Sequence, residues 1–267
     1  MDLKISFVGG GKMAEAIVSG IVQSKLVSPS QILVSEPVEA RRLELHSNYS
    51  IDVTGNNLEV AKQQGLLFLA VKPQNLKEVC DEIHGNIHRE TSLISIVAGA
   101  NLDSIKAYTN HSNIVRVMPN TPAQISEGMA VWTAFPEVSS STLSVIEEIL
   151  DTLGKQFFVK EEKYLDMSTA LSASGPAYVF MFIESLIDAG VYLGMPREMA
   201  RKLTLQTLLG STKFVENTGK HPAELKDMVT SPAGTTIEAI LSLENDNFRA
   251  SVINGVVAAY ERSLELG

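Results

Sequence analysis

Gly9, Gly11 and Ala14 have the spacing of a phosphate-binding turn, within the segment FVGGGKMAEAI (Phe7–Ile17). The segment follows an apolar β-branched run and opens a helical pattern. A helix N-terminus offers unpaired N–H groups and a positive dipole end to an anion. Gly9 permits a tight turn, Gly11 lets the backbone approach a pyrophosphate, and Ala14 allows helix and strand to pack closely. A glycine-rich turn without a ligand gives the same pattern, so this motif alone leaves both interpretations open.

A second candidate anion site lies far along the chain, in the segment SPAGTT at residues 231–236. Because this segment leads into a helical pattern, the N–H groups of Gly234, Thr235 and Thr236 are predicted to be free for a carboxylate. Thr235 and Glu238 also fit a capping box, in which side chains satisfy helix donors. The two interpretations can hold together, since a cap satisfies only some of the free donors.

The end of the second predicted strand carries charged side chains that bear on the choice of cofactor. An acidic residue at this place accepts a hydrogen bond from the adenosine ribose and repels a 2′-phosphate, so Glu36 favours NAD. Arg41 and Arg42 follow within two helical turns and are able to neutralise such a phosphate. All three are also typical of a solvated surface, so the residues leave NADPH and NADH open.

Three further motifs surround predicted element ends. LAVKPQ leaves the Ala70–Lys72 backbone at the carboxyl edge of the sheet, where open α/β sheets bind ligands. The Lys72 side chain is equally expected as a surface residue. VMPNTPA fixes the backbone around Asn120 and Thr121 with two prolines. SASGPAY (Ser172–Tyr178) is predicted as a turn between two helices.

The elements that must position these residues alternate strand and helix up to about residue 160, which predicts a parallel α/β sheet. Three of the strands are almost entirely apolar, as expected where helices cover both faces of a sheet. The predicted strands are Leu3–Val8, Ile32–Ser35, Leu66–Val71, Leu93–Ala98, Ile114–Met118, Met129–Phe135 and Gln156–Val159. The predicted helices between them are Lys12–Ser24, Val38–His46, Asn75–Ile83, Leu102–Ala107 and Leu143–Leu153.

After Lys160 the strand signal ends, and the remaining sequence predicts helices only. This change predicts two domains, residues 1–160 and residues 161–267. The segment Ala177–Tyr192 is apolar almost all round, which is typical of a helix covered on several sides. A helical domain of about 100 residues is too small to cover such a helix alone, so we expect a homodimer formed through it.

Composition excludes several classes of protein. The net charge of -9, from 22 basic and 31 acidic residues among 267, argues against a general nucleic-acid binder. Cys80 is the one cysteine, which excludes an intrachain disulfide and a Cys-based zinc site. His84 and His88 are separated by the helix breaker Gly85, so no metal site is predicted. We expect no apolar run of the ~20 residues that a membrane span needs, no targeting segment, and a cytoplasmic location.

Five motifs occur in order along the chain: FVGGGKMAEAI, LAVKPQ, RVMPNTPA, LSASGPAY, and HPAELKDMVTSPAGTTIEAILSLE followed by FRASV. This set resembles the pyrroline-5-carboxylate reductase family over essentially the whole chain, and the last motif looks like the family's own signature. The resemblance implies reduction of Δ1-pyrroline-5-carboxylate to L-proline by NADPH or NADH, without a metal. It also implies an N-terminal Rossmann-type doubly wound sheet, an all-α C-terminal dimerisation domain, and an interlocked homodimer that forms decamers in some members.

The resemblance further implies roles for individual residues. Those implied to contact the cofactor are Gly9, Gly10, Gly11, Lys12 and Met13 at the pyrophosphate, Ser35 and Glu36 at the adenosine ribose, Asn57, and Ala70, Val71, Lys72, Pro73, Ala98 and Gly99 along the crevice. Those implied to bind the substrate are Ser231, Gly234, Thr235 and Thr236, with backbone amides at the carboxylate and the Thr236 hydroxyl facing the ring nitrogen as the catalytic group.

Three positions depart from the family pattern. Ala173 and Ala233 stand where many members have glycine, and Glu36 stands where contacts to a 2′-phosphate are often found. A non-glycine residue at position 233 distorts the loop if that position requires a positive φ.

Two other functions remain as alternatives to imine reduction. A reductase of the same two-domain plan, such as a β-hydroxyacid dehydrogenase or an imine reductase, is the first. Those hydroxyacid enzymes usually carry a lysine on the first long helix of the helical domain, and Ala177–Gly190 has none. A non-catalytic dinucleotide-binding protein is the second, although such a protein has no use for a carboxylate loop.

For reduction of pyrroline-5-carboxylate we expect catalysis by positioning, because the protonated imine carbon is already electrophilic.

Overall fold

The computed structural model describes residues 3–266, which form two compact units. One unit, here called the sheet unit, ends at Ser174 and also takes in the chain from Ala259 onward. The other, here called the helical unit, is Gly175–Ala258. The boundary at residue 160, expected from the end of the strand signal, stays a prediction about functional domains.

The sheet unit is built on eight strands within the described residues, in the order β3-β2-β1-β4-β5-β6-β7-β8. The sheet order reverses direction between β1 and β4, which is where ligand crevices form in doubly wound sheets. The strands are β1 (Ile5–Val8), β2 (Ile32–Ser35), β3 (Asp52–Thr54), β4 (Leu66–Leu69), β5 (Ser92–Ser95), β6 (Ile114–Met118), β7 (Gly128–Ala134) and β8 (Gly154–Phe158).

Seven helices accompany these strands in the described part of the chain, and both faces of the sheet have buried apolar cores. Phe7 of β1 and Phe68 of β4 stack at 4.7 Å between ring centroids. The predicted Rossmann-type fold class is therefore confirmed. The helices are α1 (Lys12–Ser24), α2 (Glu39–Tyr49), α3 (Asn57–Ala61), α4 (Leu76–Ile83), α5 (Leu102–Thr109), α6 (Ser140–Asp151) and α7 (Lys163–Ser168).

Strand β7 departs from the parallel arrangement that the sequence predicts. It pairs antiparallel with β6, with Val117 opposite Trp132, whereas every other pair in the sheet is parallel. The reason is the short connection of residues 119–127, which holds only one short 3₁₀ turn, Thr121–Ile125. A parallel crossover needs about a dozen residues or more, usually with a helix.

The helical unit contains α8 (Gly175–Tyr192), α9 (Arg197–Thr218), α10 (Pro222–Met228), α11 (Thr235–Asn245) and the first part of α12 (Phe248–Leu266). Its apolar side chains are poorly covered within one chain. No residue of α8 is buried, and Phe180 and Met181 are 60% and 68% exposed.

The SASGPAY segment is not the simple turn that its composition predicts. Helix α7 continues into a π-helical turn, Thr169–Ala173, and then into α8, which begins at Gly175. Pro176 is tolerated there because a proline in the first turn of a helix has no N–H to lose. The combined stretch Lys163–Tyr192 is also long and apolar enough to cross a membrane by length and composition, which corrects the expectation that no such run exists.

Candidate active site

The glycine loop that follows β1 has the backbone of an anion cradle. Gly9 has a φ of +100°, and a Cβ placed there would lie 2.5 Å from the carbonyl O of Ala70, so only glycine fits. Helix α1 begins at Lys12 with Gly11 as N-cap and no capping side chain. A Cβ at Gly11 would meet nothing within 4 Å. The residues present therefore fit a dinucleotide pyrophosphate, with the N–H groups of Gly11, Lys12 and Met13 as donors.

Gly10, in the middle of this loop, is held at both of its backbone polar groups. Its N–H donates to Glu36 Oε2 at 3.0 Å, and its carbonyl accepts from Arg41 Nε at 2.8 Å. The other carboxylate oxygen of Glu36 accepts from the Val38 N–H at 3.0 Å. Glu36 is thus fixed at the exit of β2, facing the glycine loop, where the adenosine ribose is expected.

Arg41 is committed to neighbouring carboxylates. Its guanidinium contacts Glu15 and Glu44, each at 2.7 Å. Burial raises the pKa of the Glu15 carboxyl, but hydrogen bonds from Arg41 and Lys12 outweigh burial, and the pKa is lowered overall. Arg42 Nη1 donates to the carbonyls of Glu36 and Pro37 at 2.7 and 2.9 Å. Of the two arginines, Arg42 is the one without a carboxylate partner among the described ion pairs.

Ser35 and Asn57 form a small network beside Glu36. The buried hydroxyl of Ser35 donates to Asn57 Oδ1 at 2.6 Å, and Asn57 Nδ2 donates to Glu82 Oε2 at 2.7 Å. The structure therefore brings together two of the residues that the resemblance assigns to the cofactor. Their polar atoms link β2, α3 and α4.

The exits of β4 and β5 meet at the carboxyl edge of the sheet, as the sequence predicts. Pro73 from the first exit and Ala98 and Gly99 from the second line one cavity of about 90 Å³. Lys72 is exposed and Val71 is partly exposed beside them. A roomier cavity of about 410 Å³ lies at the opposite edge, at the amino ends of β1, β4 and β5. Ligand crevices of such sheets lie at the carboxyl ends, so the smaller cavity is the one at the edge where a cofactor is expected.

The loop of residues 231–236 in the helical unit forms the second cradle. Gly234 is the N-cap of α11 with no capping side chain, so the capping box predicted for Thr235 and Glu238 is wrong. Thr235 is the first helical residue, one position too late to cap. The first N–H groups of α11, including those of Thr235 and Thr236, are therefore free to bind an anion.

Two backbone features shape this loop. Ala233 has a φ of +54°, which is the left-handed region that favours glycine. A Cβ at Gly234 would overlap Ser231 Oγ, so the chain must approach itself closely here. The Gly234 N–H donates to the Ser231 carbonyl at 3.2 Å and closes the turn. Ser231, Gly234, Thr235 and Thr236 are thus brought together, with Thr236 partly exposed at the start of α11.

Sequence reasoning missed the buried Arg116 of β6. Its guanidinium is 1% exposed and contacts Glu162 Oε1 and Asp166 Oδ1, both at 2.8 Å. Glu162 Oε1 also accepts from the Leu102 N–H at 2.8 Å. A charged residue inside the apolar strand IVRVM was the available signal, because a buried arginine requires acidic partners.

The remaining candidate groups lie outside both cradles. Cys80 is buried in the core of the sheet unit, and burial raises the pKa of its thiol to about 11. Such a thiol is inert at neutral pH. His84 Nδ1 hydrogen-bonds with the carbonyl O of Tyr108 at 2.9 Å, so this ring nitrogen is engaged with the backbone. Among residues 3–266 no cluster of three or more His, Cys, Asp or Glu could hold a metal ion.

A largely parallel sheet with a glycine loop at its switch point, together with a helical unit whose α11 begins without a capping side chain, is typical of a dinucleotide-dependent oxidoreductase. Comparison with protein families agrees. Residues 4–99 match the family described as NADP oxidoreductase coenzyme F420-dependent, and residues 162–266 match pyrroline-5-carboxylate reductase dimerisation.

Individual proteins extend the likeness over the full chain. Pyrroline-5-carboxylate reductase of Synechocystis sp. is 43% identical over 100% of this chain and 99% of its own length. The enzyme of Escherichia coli is 39% identical with the same coverage. The crystal structure of Plasmodium falciparum pyrroline carboxylate reductase with NADP bound superposes with a TM-score of 0.91 at 34% identity, covering 99% of this chain and 98% of that one. The chain belongs to the pyrroline-5-carboxylate reductase family, which confirms the resemblance.

Proposed function

We propose that this protein reduces Δ1-pyrroline-5-carboxylate to L-proline at the two cradles described above. The observation that carries the proposal is the uncapped N-terminus of α11, because its free N–H groups and dipole suit the carboxylate of a small imino acid. A purely cofactor-binding protein does not require this second anion site. A hydroxyacid dehydrogenase would also bind a carboxylate, but it usually carries a lysine on the helix where Ala177–Gly190 has none. A bound NADPH or NADH supplies the hydride.

The chain's own residues do their work by positioning. Gly11, Lys12 and Met13 offer N–H groups to the pyrophosphate, and the exits of β4 and β5 line the crevice beyond it. The loop of Ser231, Gly234 and Thr235 takes the substrate carboxylate through its backbone. The Thr236 hydroxyl orients the ring nitrogen, which needs little acid catalysis because an imine is readily protonated in water.

Thr236→Ala tests the role of this hydroxyl. We expect kcat/KM for pyrroline-5-carboxylate to fall by roughly ten- to a hundredfold, as for one lost hydrogen bond of ~1.5–3 kcal/mol. Thr212→Ala is the matched control, because the Thr212 hydroxyl only donates to the Leu208 carbonyl within α9. Steady-state assays should be run with saturating cofactor. An unchanged rate in Thr236→Ala removes Thr236 from the mechanism.

The substrate is tested by oxidation of NADH and NADPH with pyrroline-5-carboxylate and with a keto acid, and by reduction of NAD+ and NADP+ with a β-hydroxyacid. We expect turnover with the imino acid only. Turnover with a hydroxyacid or keto acid instead would support the related reductases, and binding without turnover would support the non-catalytic alternative.

Glu36 is proposed to discriminate between the two cofactors. Its carboxylate is fixed where a 2′-phosphate would lie, and Arg41 is already paired with Glu15 and Glu44. Arg42 is the cation left to face such a phosphate. We expect Glu36→Gln to raise the ratio of kcat/KM for NADPH to that for NADH about tenfold, since one repulsive charge is lost. Glu39→Gln is the control, because it removes an exposed carboxylate at the start of α2, and it should leave the ratio unchanged.

The assembly and location are proposed on the same basis. The poorly covered α8 and the dimerisation family match favour a homodimer through residues 161–267. Measurement of the particle mass in solution distinguishes this dimer from a decamer of five dimers. A second copy covers the apolar Lys163–Tyr192 stretch in this proposal, so no membrane is required. The net negative charge disfavours nucleic acid as a partner. We place the protein in the cytoplasm.

A further inference from the structure

The Asn120 side chain joins two segments of the sheet unit that are distant in sequence. Asn120 lies just past the carboxyl end of β6, and its Oδ1 accepts from the Met129 N–H at 2.8 Å. Its Nδ2 donates to the carbonyl O of Ser172 at 3.2 Å and contacts Ser172 Oγ at 3.4 Å. One side chain therefore ties the β6 exit both to β7 and to the π-helical turn.

The π-helical turn, Thr169–Ala173, is anchored from β6 at two places. Arg116 in the middle of the strand holds Asp166 in α7, immediately before the turn. Asn120 at the end of the strand holds Ser172 within the turn. Single π-helical turns are rare in proteins and occur frequently at functional sites. Two long-range anchors on so short a segment indicate that its position matters.

The strand register shows where this turn lies. In the parallel β5–β6 pair, Ser95 is opposite Arg116, so the β5 exit and the β6 exit, where Asn120 lies, are at the same edge of the sheet. The adenosine end of the crevice is at β2, where Glu36 lies, so its reacting end is on the far side of the switch point, at β5 and β6. Because Asn120 holds Ser172, the π-helical turn is tied to the β6 exit, at the carboxyl edge on the reacting side of the switch point.

We infer that Asn120 is a positioning residue for imino-acid reduction. By holding Ser172, it fixes the π-helical turn as a wall of the crevice at the end where hydride transfer takes place. In this role Asn120 acts through the turn. The inference rests on the proposed function.

Asn120→Asp isolates the contact to Ser172. Aspartate keeps an acceptor oxygen for the Met129 N–H but replaces the amide donor with an oxygen that repels the Ser172 carbonyl. Gln124→Glu is the matched control, because it makes the same amide-to-acid change on an exposed side chain of the same loop, which contacts only Thr121. Asn120→Ala removes the donor without adding charge and serves as a second variant if the aspartate prevents folding.

Two kinds of measurement are needed. Hydrogen–deuterium exchange of the peptide that covers residues 169–174 reports on the contact itself, without any ligand. Steady-state kinetics with cofactor deuterated at the transferred hydrogen reports on the chemical step. Cofactor Kd and thermal midpoint complete the comparison with the wild type.

In Asn120→Asp we expect exchange in residues 169–174 to accelerate and kcat/KM for the imino acid to fall about 10- to 100-fold, as for a small misplacement of reacting groups. The isotope effect on kcat should rise, and cofactor Kd should stay within about twofold, because the pyrophosphate cradle is untouched. Gln124→Glu should match the wild type in exchange, kcat/KM, isotope effect and cofactor Kd.

The inference is overturned if exchange and isotope effect in both Asn120 variants equal those of the wild type. It is also overturned if activity falls only in proportion to the folded fraction, since that indicates a structural role. If the wild-type protein does not reduce pyrroline-5-carboxylate, the proposed function fails, and the exchange measurement still decides whether Asn120 holds the turn.

Discussion

Each of the two units has a candidate anion-binding loop, but the units differ in how completely one chain covers their apolar side chains. In the sheet unit every residue of β1 and β4 is buried, and the glycine cradle is braced by Glu36 and Arg41. In the helical unit α8 buries no residue, although it is more apolar than any other helix. The sheet unit therefore carries its own core, whereas the helical unit depends on surfaces supplied by a second copy.

Replacing Arg116 should cause the greatest loss of stability in the sheet unit. Arg116→Met leaves Glu162 and Asp166 without their partner and should destabilise the fold by about 3 kcal/mol, the low end for a broken buried ion pair, because both carboxylates keep some exposure. The thermal midpoint measures the loss. Arg197→Met is the control in the helical unit, where the pair with Asp188 is exposed and contributes less than about 0.5 kcal/mol. Equal shifts in the two variants would contradict the contrast between the units.

The next effect concerns the uncovered face of α8. Phe180→Asp places a charge on that face and should weaken self-association by about 2 kcal/mol or more, as for a lost interface anchor. Sedimentation over a range of protein concentrations measures the dissociation constant. Leu43→Asp makes the same kind of change on α2 of the sheet unit, at a site 62% exposed, and should leave association unchanged. Unaltered association in Phe180→Asp would place the subunit interface elsewhere.

The smallest change in stability is expected at a position with positive φ, where the two loops use different residues. The sheet unit uses glycine at Gly9, whereas the helical unit uses Ala233. Ala233→Gly should relieve strain and stabilise the protein by about 1 kcal/mol, visible as a rise of a few degrees in the thermal midpoint. Ala239→Gly, inside α11, should lower the midpoint by a similar amount. A fall in both variants would show that the loop at position 233 is not strained.

The elements with strong apolar patterns were predictable from sequence. β2, β6 and α1 have the predicted bounds, because each combines a clear period with clear ends. β3 and α3 were missed because three and five residues are too few to show a clear period, and only pairing with β2 defines the strand. The antiparallel direction of β7 was not predicted, because the local sequence pattern of a strand does not show which way it pairs.

The candidate site was predictable as a set of loops and not as a set of contacts. Glycine spacing located the first cradle, and a predicted helix start after SPAGTT located the second. The bond between Gly10 and Glu36 joins residues 26 apart in sequence, and that between Asn120 and Ser172 joins residues 52 apart. Such pairs arise only when strands come together in the sheet. The capping box failed because Gly234 rather than Thr235 ends the non-helical segment.

In the proposed cofactor site, Gly10 would make recognition of the sugar and recognition of the phosphates mutually dependent. Its amide and its carbonyl are both held by side chains from the β2 exit and α2, so a ligand that moves Glu36 or Arg41 also reshapes the turn that cradles the diphosphate. Exchanging one cofactor for the other by substituting Glu36 alone should therefore carry a penalty for both. A complete switch of preference requires the partner of Gly10 and the turn itself to be redesigned as one unit.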